Sequence, residues 1–520
     1  MSSIPLTVWT KLLGTDETDY ATALTTDSDG SIYIAGYTSG DLDGQNNNGN
    51  EDAFISKSFI SKYTTDGTKE WTRLLESYEN DDVSALTTGS DGSIYIAGNT
   101  SVNLDDQTNS GSQDAFISKF NPDGTKKWTR LLGNSDFDSA RALTTDSNGS
   151  IYIAGYTHEN LDGQIYKGES DAFITKFNHD GTKQWTRLLG SSDTDRARAL
   201  TTDSDGSIYI AGYTSGDLDG QKNNGYGDGF ITKFYSDGTK DWTKLFGSSD
   251  RDIITAISFG GDGYIFITGN TFSDFDDQIN SGEDDIFISK FKLDGTKEWR
   301  KLYGTSSSDA AYALTTGSDG SIYIAGNTRG NLDDQTNSGS IDAFISKYTT
   351  DGAKEWTRLL GTVSVDLADA LATGSDGSIY IAGSTNGNLD GQTNNGDYDA
   401  FIIKLSEKDE LPNPILPITI NQQPTDINIS PNSFDENIDA ESVIATLSTE
   451  DKDIGDTHTY ELIKGEGDTD NDSFTIDGDK LKIKSSPDYK KKSSYDIRLK
   501  TTDSGGLSYE KTVVLSVKDL

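Results

Sequence analysis

Seven stretches of this chain carry an aspartate, eight intervening residues and a second aspartate, in the frame LDxQ…G…D.F, with Phe275 once in place of the leucine. The pairs are Asp43/Asp52, Asp105/Asp114, Asp162/Asp171, Asp219/Asp228, Asp276/Asp285, Asp333/Asp342 and Asp390/Asp399, and Gln45, Gln107, Gln164, Gln221, Gln278, Gln335 and Gln392 recur beside them. Such oxygens suit a hard cation, but the glycine at the sixth position and the bidentate glutamate at the twelfth that an EF-hand loop requires are missing. The expected role of the second aspartate is an Asx-type hydrogen bond that closes the loop on its own backbone, with calcium in these loops as the other reading. The histidines are His158, His179 and His458, each unique to its copy or domain, and no Ser-His-Asp, HExxH or glycine-rich phosphate loop is apparent. Carboxylate pairs of the glycosidase kind are compatible with so much aspartate, yet catalysis is not expected. Arg141, Arg196 and Arg198 could line one sector of an inner surface, but they are unmatched in the other copies, and surface pairing is the expectation.

The elements that must position these residues follow from the tryptophans at 9, 71, 128, 185, 242, 299 and 356, whose spacing after the first interval is 57 residues. A repeat of this kind signals units that cannot bury their own apolar faces and pack between neighbours. Each unit has four strand-length runs, as in WTRLLG, ARALTT, SIYIAG and DAFITKF between 128 and 177. Asn148-Gly149 and its Asp-Gly equivalents separate the second and third runs, and a type I′ hairpin is expected there. A second turn, Asp123-Gly124 and its kin, joins the fourth run to the next Trp strand six times. The Trp9 strand therefore lacks a predecessor and the Asp399 strand a successor. Pairing them closes a ring and removes both exposed edges. The expected fold is all-β, a seven-bladed β-propeller over residues 1–406. FISKSFISKY adds five residues to the first copy, for which a bulge or lengthened hairpin is expected.

The wording SIYIAGYT, LDGQ and DAFISKF resembles the SBBP bacterial β-propeller repeat, over about four-fifths of the chain. That resemblance implies the fold and no particular activity.

Asp and Glu number 85 against 44 Lys and Arg, a net charge of −41. This field repels nucleic acids and anionic membranes, which need a basic patch, and makes divalent cations natural partners. No window approaches the roughly 18 to 20 apolar residues of a membrane span. MSSIPLTVWT has neither the basic region nor the apolar core of a cleavable signal. Zero cysteines exclude disulfides. The composition looks like that of bacterial exoproteins exported without such a signal, so the expected location is extracellular or cell-surface.

Residues 407–424 are proline-rich and read as a stiff linker. Over residues 425–520, DINIS, SVIATL, HTYELI, SFTID, KLKIK, YDIRLK and TVVLSVK are the short strands of a β-sandwich. This segment resembles a cadherin repeat: FDEN (434–437), Asp451-Lys452-Asp453 before HTY, FTID followed by PDYKKKSSYDIRL, and TTDSGGLS (501–508) stand in that family's order. The resemblance implies calcium at the two ends of a cadherin/Ig-like sandwich, and adhesion, including homophilic contact. Asp451, Asp453 and Asp503 would form one cluster, and Glu436 and Asp488 another. Lys490 replaces the glutamate of the LDxE motif, and the linkers that complete such cages are degenerate at Asn421-Gln422 and missing after Asp519. Alternate aspartates in an extended turn direct their carboxylates to one side, and Ca²⁺ takes six to eight oxygens. The functional expectation is a calcium-binding adhesion or recognition protein whose partners are other chains or surface glycans. A carbohydrate-binding propeller, or more remotely a secreted glycoside hydrolase, is the alternative.

Overall fold

The structure, a computed structural model, describes residues 4–45, 57–75, 81–407, 423–452, 457–503 and 506–520. The chain forms two compact units, Met1–Glu410 and Leu411–Leu520.

Among the described residues, the first unit holds seven four-stranded antiparallel sheets. In the sheet built from Asp138–Thr145, Ile151–Thr157, Asp171–Phe177 and Lys183–Leu189, the strands run in sequence order from inside to outside. Ile151–Thr157 is buried at every position. Its two faces are covered by different neighbours: Ile151 and Ile153 join Tyr95 and Ile117, whereas Tyr152 and Ala154 join Leu200 and Ile210. An unbroken apolar run therefore suits this strand where alternation would not. Tryptophan links sheets as well, since Trp185 Nε1 donates to Ser236 O at 3.3 Å and Trp242 Nε1 to Leu293 O at 3.2 Å in the following turn.

The two chain ends meet. Leu6–Leu13 pairs antiparallel with Asp399–Ser406, and Trp9 Nε1 donates to Thr65 O at 3.1 Å, so the last sheet touches the first as every other consecutive pair does. Among the described residues, Trp356 bonds no following turn. Glu407 takes that place, accepting from Trp356 Nε1 at 3.2 Å, Tyr323 Oη at 3.2 Å and Lys347 Nζ at 2.5 Å. Glu407→Ala removes the nearest carboxylate from buried Lys347, and should cost the first unit about 1 to 3 kcal/mol. Urea unfolding checks this, and an unchanged midpoint would show that the carboxylate holds nothing.

Two local expectations change. At Asp27-Ser28-Asp29-Gly30, Gly30 N donates to Asp27 O at 3.0 Å and Gly30 alone has positive φ, at 86°. This is a type I turn closed by a left-handed glycine, not the expected type I′ turn, because the loop is longer than two residues. The I′ geometry appears instead in LDGQ, where Asp162 and Gly163 have φ of 50° and 73° and Leu161 bridges Gln164. The second FISK, at 59–62, is the copy in register, and Lys57 stands opposite Thr38 where a sister strand sets Asp114 opposite Thr100. Asp52 and the expected bulge lie outside the described residues.

Each innermost strand carries a bulge, as at Arg141 between Ala140 and Ala142. The equivalent break recurs in all seven sheets.

Among the described residues, the second unit contains two four-stranded sheets. One joins Asp426–Ser430, Val443–Glu450, Lys480–Ile483 and Phe474–Asp477, and the other joins Ser433–Asp435, Ser508–Lys518, Ser494–Asp503 and His458–Leu462. Ile427, Leu447 and Leu481 of the first pack with Ile497, Leu499 and Leu515 of the second in one core.

Candidate functional site

The two aspartates of each repeat serve different places. The first sits in the left-handed turn and binds the outer strand: Asp219 accepts from Lys240 Nζ and Thr243 Oγ1, both at 2.5 Å. Gln221 extends the same contact, donating Nε2 to Thr243 O at 2.5 Å and accepting from Leu245 N at 3.2 Å. The second aspartate closes the loop by accepting a backbone N–H four residues earlier, as Asp114 does from Ser110 and Asp399 from Asn395. The pair does not converge on one point.

That second aspartate instead meets the first aspartate of the next inner strand. Asp195 N donates to Ser170 O at 2.7 Å, which brings Asp195 beside Asp171, and both residues are fully buried. The equivalent pairs are Asp114/Asp138, Asp228/Asp252, Asp285/Asp309, Asp342/Asp366 and Asp399/Asp19. Burial, reinforced by the Asp195 charge, pushes the Asp171 carboxyl up to about 6, and burial does the same for Asp138. Oδ1 of Asp114, Asp171, Asp228, Asp285, Asp342 and Asp399 has no hydrogen-bond partner.

The bulge residues point inward. Thr22, Ser84, Arg141, Arg198, Thr255, Tyr312 and Asp369 occupy the same bulged position in the seven inner strands, and together with Tyr37, Asp82 and Val83 they line an axial cavity of about 520 Å³. Around this cavity the copies differ while the flanking alanines and leucine largely repeat. Arg141 lies over Tyr156 and Arg198 over Tyr213, each guanidinium carbon less than 6 Å from the ring. Arg196 and Arg251 rest on the same two rings. Arg198 is exposed to the cavity but enclosed by protein, and that enclosure, with Arg141 and Arg251 nearby, lowers its pKa. Asp369 is half-exposed to the same space, and its depth in the ring pushes its carboxyl up to about 7. Tyr312 is raised by burial and by the Asp369 charge. Arg141 and Arg198 thus line the interior and are not surface pairs. A bulge is what sequence reasoning missed, because ARAL reads as ordinary strand.

In the second unit, Asp451 and Asp503 come to one end around His458. His458 pairs with Asp503 across adjacent strands, and its Nε2 lies 3.0 Å from Asp451 Oδ2. The Asp451 side chain and Asp503 are buried, and Asp503 Oδ1 accepts from Leu507 N at 2.8 Å. Asp453 lies outside the described residues. Glu436 accepts from Tyr489 N at 3.0 Å and Leu520 N at 3.1 Å, which lowers its pKa, and Asp488 pairs with Lys491 at 3.0 Å. The described residues thus offer two carboxylates at the first end, and backbone-bound or ion-paired carboxylates at the second. No group of three or more acidic or histidine ligands forms among the described residues.

Residues 8–43, 127–162, 184–219 and 355–390 match the SBBP β-propeller repeat, and residues 89–126 match a β-propeller domain of unknown function, DUF5122. The regulatory protein FlaEY of Caulobacter vibrioides is 23% identical over 366 residues, covering 61% of this chain and 38% of that protein. An uncharacterized WD repeat-containing protein of Acanthamoeba polyphaga mimivirus is 23% identical over 466 residues, covering 72% of this chain and 31% of its own length. The chain thus spans about a third of these curated relatives. Among solved structures, the Neurospora crassa Pan2 WD40 domain is similar with a TM-score of 0.43 and 8% identity, over 74% of this chain and 88% of that one. The extracellular domain of a hybrid two component system from B. thetaiotaomicron gives 0.38 and 14%, over 96% and 55%. Repeats in sequence and repeated four-stranded sheets in space agree: the chain is a β-propeller repeat protein.

Proposed function

We propose that this protein is a non-catalytic recognition and adhesion protein acting outside the cell. In this reading a seven-bladed propeller is the rigid scaffold, and a cadherin-like module binds calcium and spaces or tethers it, with homophilic contact as the family implies. The observation that carries the reading is the axial cavity, where sheets that otherwise repeat set different polar side chains at one structural position. A ring built to hold a varied surface on a constant frame suits binding. Arginine, tyrosine and aspartate around the cavity favour the second reading, a carbohydrate-binding propeller.

Calcium would be held by Asp451 and Asp503, with Asp453 as the third carboxylate, and more weakly by Glu436 and Asp488. His458 nitrogen is a poor calcium ligand and occupies one oxygen of Asp451, so affinity is expected in the range of extracellular modules, a Kd of roughly 10⁻⁴ to 10⁻³ M. At millimolar calcium this stabilises the module by about 1 to 3 kcal/mol. Melting the full chain in EGTA and in calcium, with magnesium as control, tests the reading. A rise in the C-terminal transition alone, lost in Asp451→Asn, is expected. An unchanged C-terminal transition overturns calcium binding by the module.

A further inference from the structure

We propose that the axial cavity binds an acidic saccharide, its carboxylate held by Arg141 and Arg198 and its hydroxyls by the opposite wall. This rests on the carbohydrate-binding reading and names the ligand class.

Arg141 and Arg198 occupy the same bulged position in consecutive sheets, so their guanidinium groups project into the cavity side by side. Each is braced on a tyrosine, which limits its rotamers. Arg141 Nη1 and Nη2 donate to Ser84 Oγ at 3.5 Å and Tyr156 Oη at 3.3 Å, and Arg198 bonds Tyr213; a guanidinium carries five N–H donors, so both side chains keep donors for a ligand. Asp82 lies beside Arg141 and partly balances it. Among the described residues no carboxylate reaches Arg198. Two neighbouring guanidinium groups with at most one counter-charge form a seat for an oxyanion, which arginine binds through paired N–H donors.

The far wall has the opposite character. Asp369 lies three sheets from Arg141 in one direction and three from Arg198 in the other, which in a ring of seven is across the axis. Tyr312, one sheet before it, and Tyr37, one sheet after it, flank Asp369. The carboxylate accepts hydrogen bonds from sugar hydroxyls, the phenol groups beside it can donate to them, and the rings offer apolar faces to a pyranose. The volume of about 520 Å³ exceeds what a free amino acid fills and lies within the range of ligand pockets, about 300 to 1,000 Å³. The chain's net charge of −41 disfavours long polyanions, which leaves a short acidic glycan or its terminal residue.

The test is calorimetric titration of the full chain with digalacturonate, galactobiose, acetate and glycine. The partner variant is Arg141→Ser with Arg198→Thr, which installs the residues that sister sheets carry at Ser84 and Thr22, so the frame is preserved. The expected result is saturable digalacturonate binding that weakens at least tenfold in the double variant, while the melting temperature is kept. Galactobiose binding as tightly as digalacturonate, and weakening in Asp369→Asn, overturns the acidic class but leaves carbohydrate recognition standing. Acetate or glycine binding as tightly as digalacturonate overturns the saccharide. No binding of either sugar overturns both this inference and the carbohydrate reading.

Discussion

Gly155→Ala should destabilise the first unit by about 3 kcal/mol or more, the range of severe overpacking. A Cβ there would fall 1.8 Å from Ser139 O and 2.9 Å from Ala140 Cα. Both belong to backbone at the bulge of the adjoining inner strand, so no side-chain rotation relieves the clash. The bulge must flatten or the strands must separate, and flattening would turn Arg141 away from the cavity. Gly149→Ala provides the contrast: its φ is 77° but no atom lies within 4 Å, so only the left-handed conformation is penalised, by about 1 kcal/mol. Urea unfolding of the two variants separates the effects. If Gly155→Ala lies within about 1 kcal/mol of the parent, the bulge does not constrain this strand.

This glycine marks where the sequence becomes hard to read. IYIAG identifies a buried strand because its residues are apolar at successive positions, and the glycine within it looks like a gap in that run. Its purpose depends on Ser139, sixteen positions away and in register only after the hairpin forms. The same holds for Arg141 and Arg198: a one-residue bulge reverses which way a side chain points, and nothing in the local composition announces it. The ring closure was legible because the ends of the chain are complementary and an unpaired edge is costly. The loop-closing bond of Asp171 was legible from Asx chemistry, whereas its neighbour Asp195 belongs to the next sheet and is brought close by ring packing. Likewise, the resemblance to a cadherin repeat implies that Asp451 and Asp503 share one end of a sandwich, but His458 reads as an ordinary strand residue until strand pairing sets it against Asp503.

The paired aspartates predict an inverted pH dependence for the first unit, with greater stability at pH 5 than at pH 8. For a carboxyl whose folded pKa is raised, the folded state binds more protons than the unfolded one over the interval between the two values. The unfolded value is about 3.9, and Asp138 and Asp171 reach about 6 when folded. The penalty is therefore absent below about pH 4, grows as pH rises through 6 and is complete above it. Burial raises Asp19, Asp114, Asp228, Asp252, Asp285, Asp342 and Asp399 in the same direction. With screening inside each junction allowed for, the effect is on the order of 1 kcal/mol per pair. His158, whose pKa burial lowers, acts the other way in this window, but as one group against many.

Asp171→Asn isolates one junction. The amide can accept from Lys167 N as the carboxylate does and offers an N–H beside Asp195 where the parent must take up a proton. The variant should match or exceed the parent at pH 8 and lose part of the slope between pH 5 and 8. The seventh junction shows the alternative solution. There buried Lys57 replaces the aspartate, and Ser58 Oγ donates to Asp81 O, which sets the lysine beside Asp81. Lys57→Met leaves Asp81 buried without the lysine's charge beside it and should lower stability. A loss of 2 kcal/mol or more in Asp171→Asn at pH 8, with an unaltered slope, would show that the junction requires both negative charges and reject proton uptake there as the source of the slope.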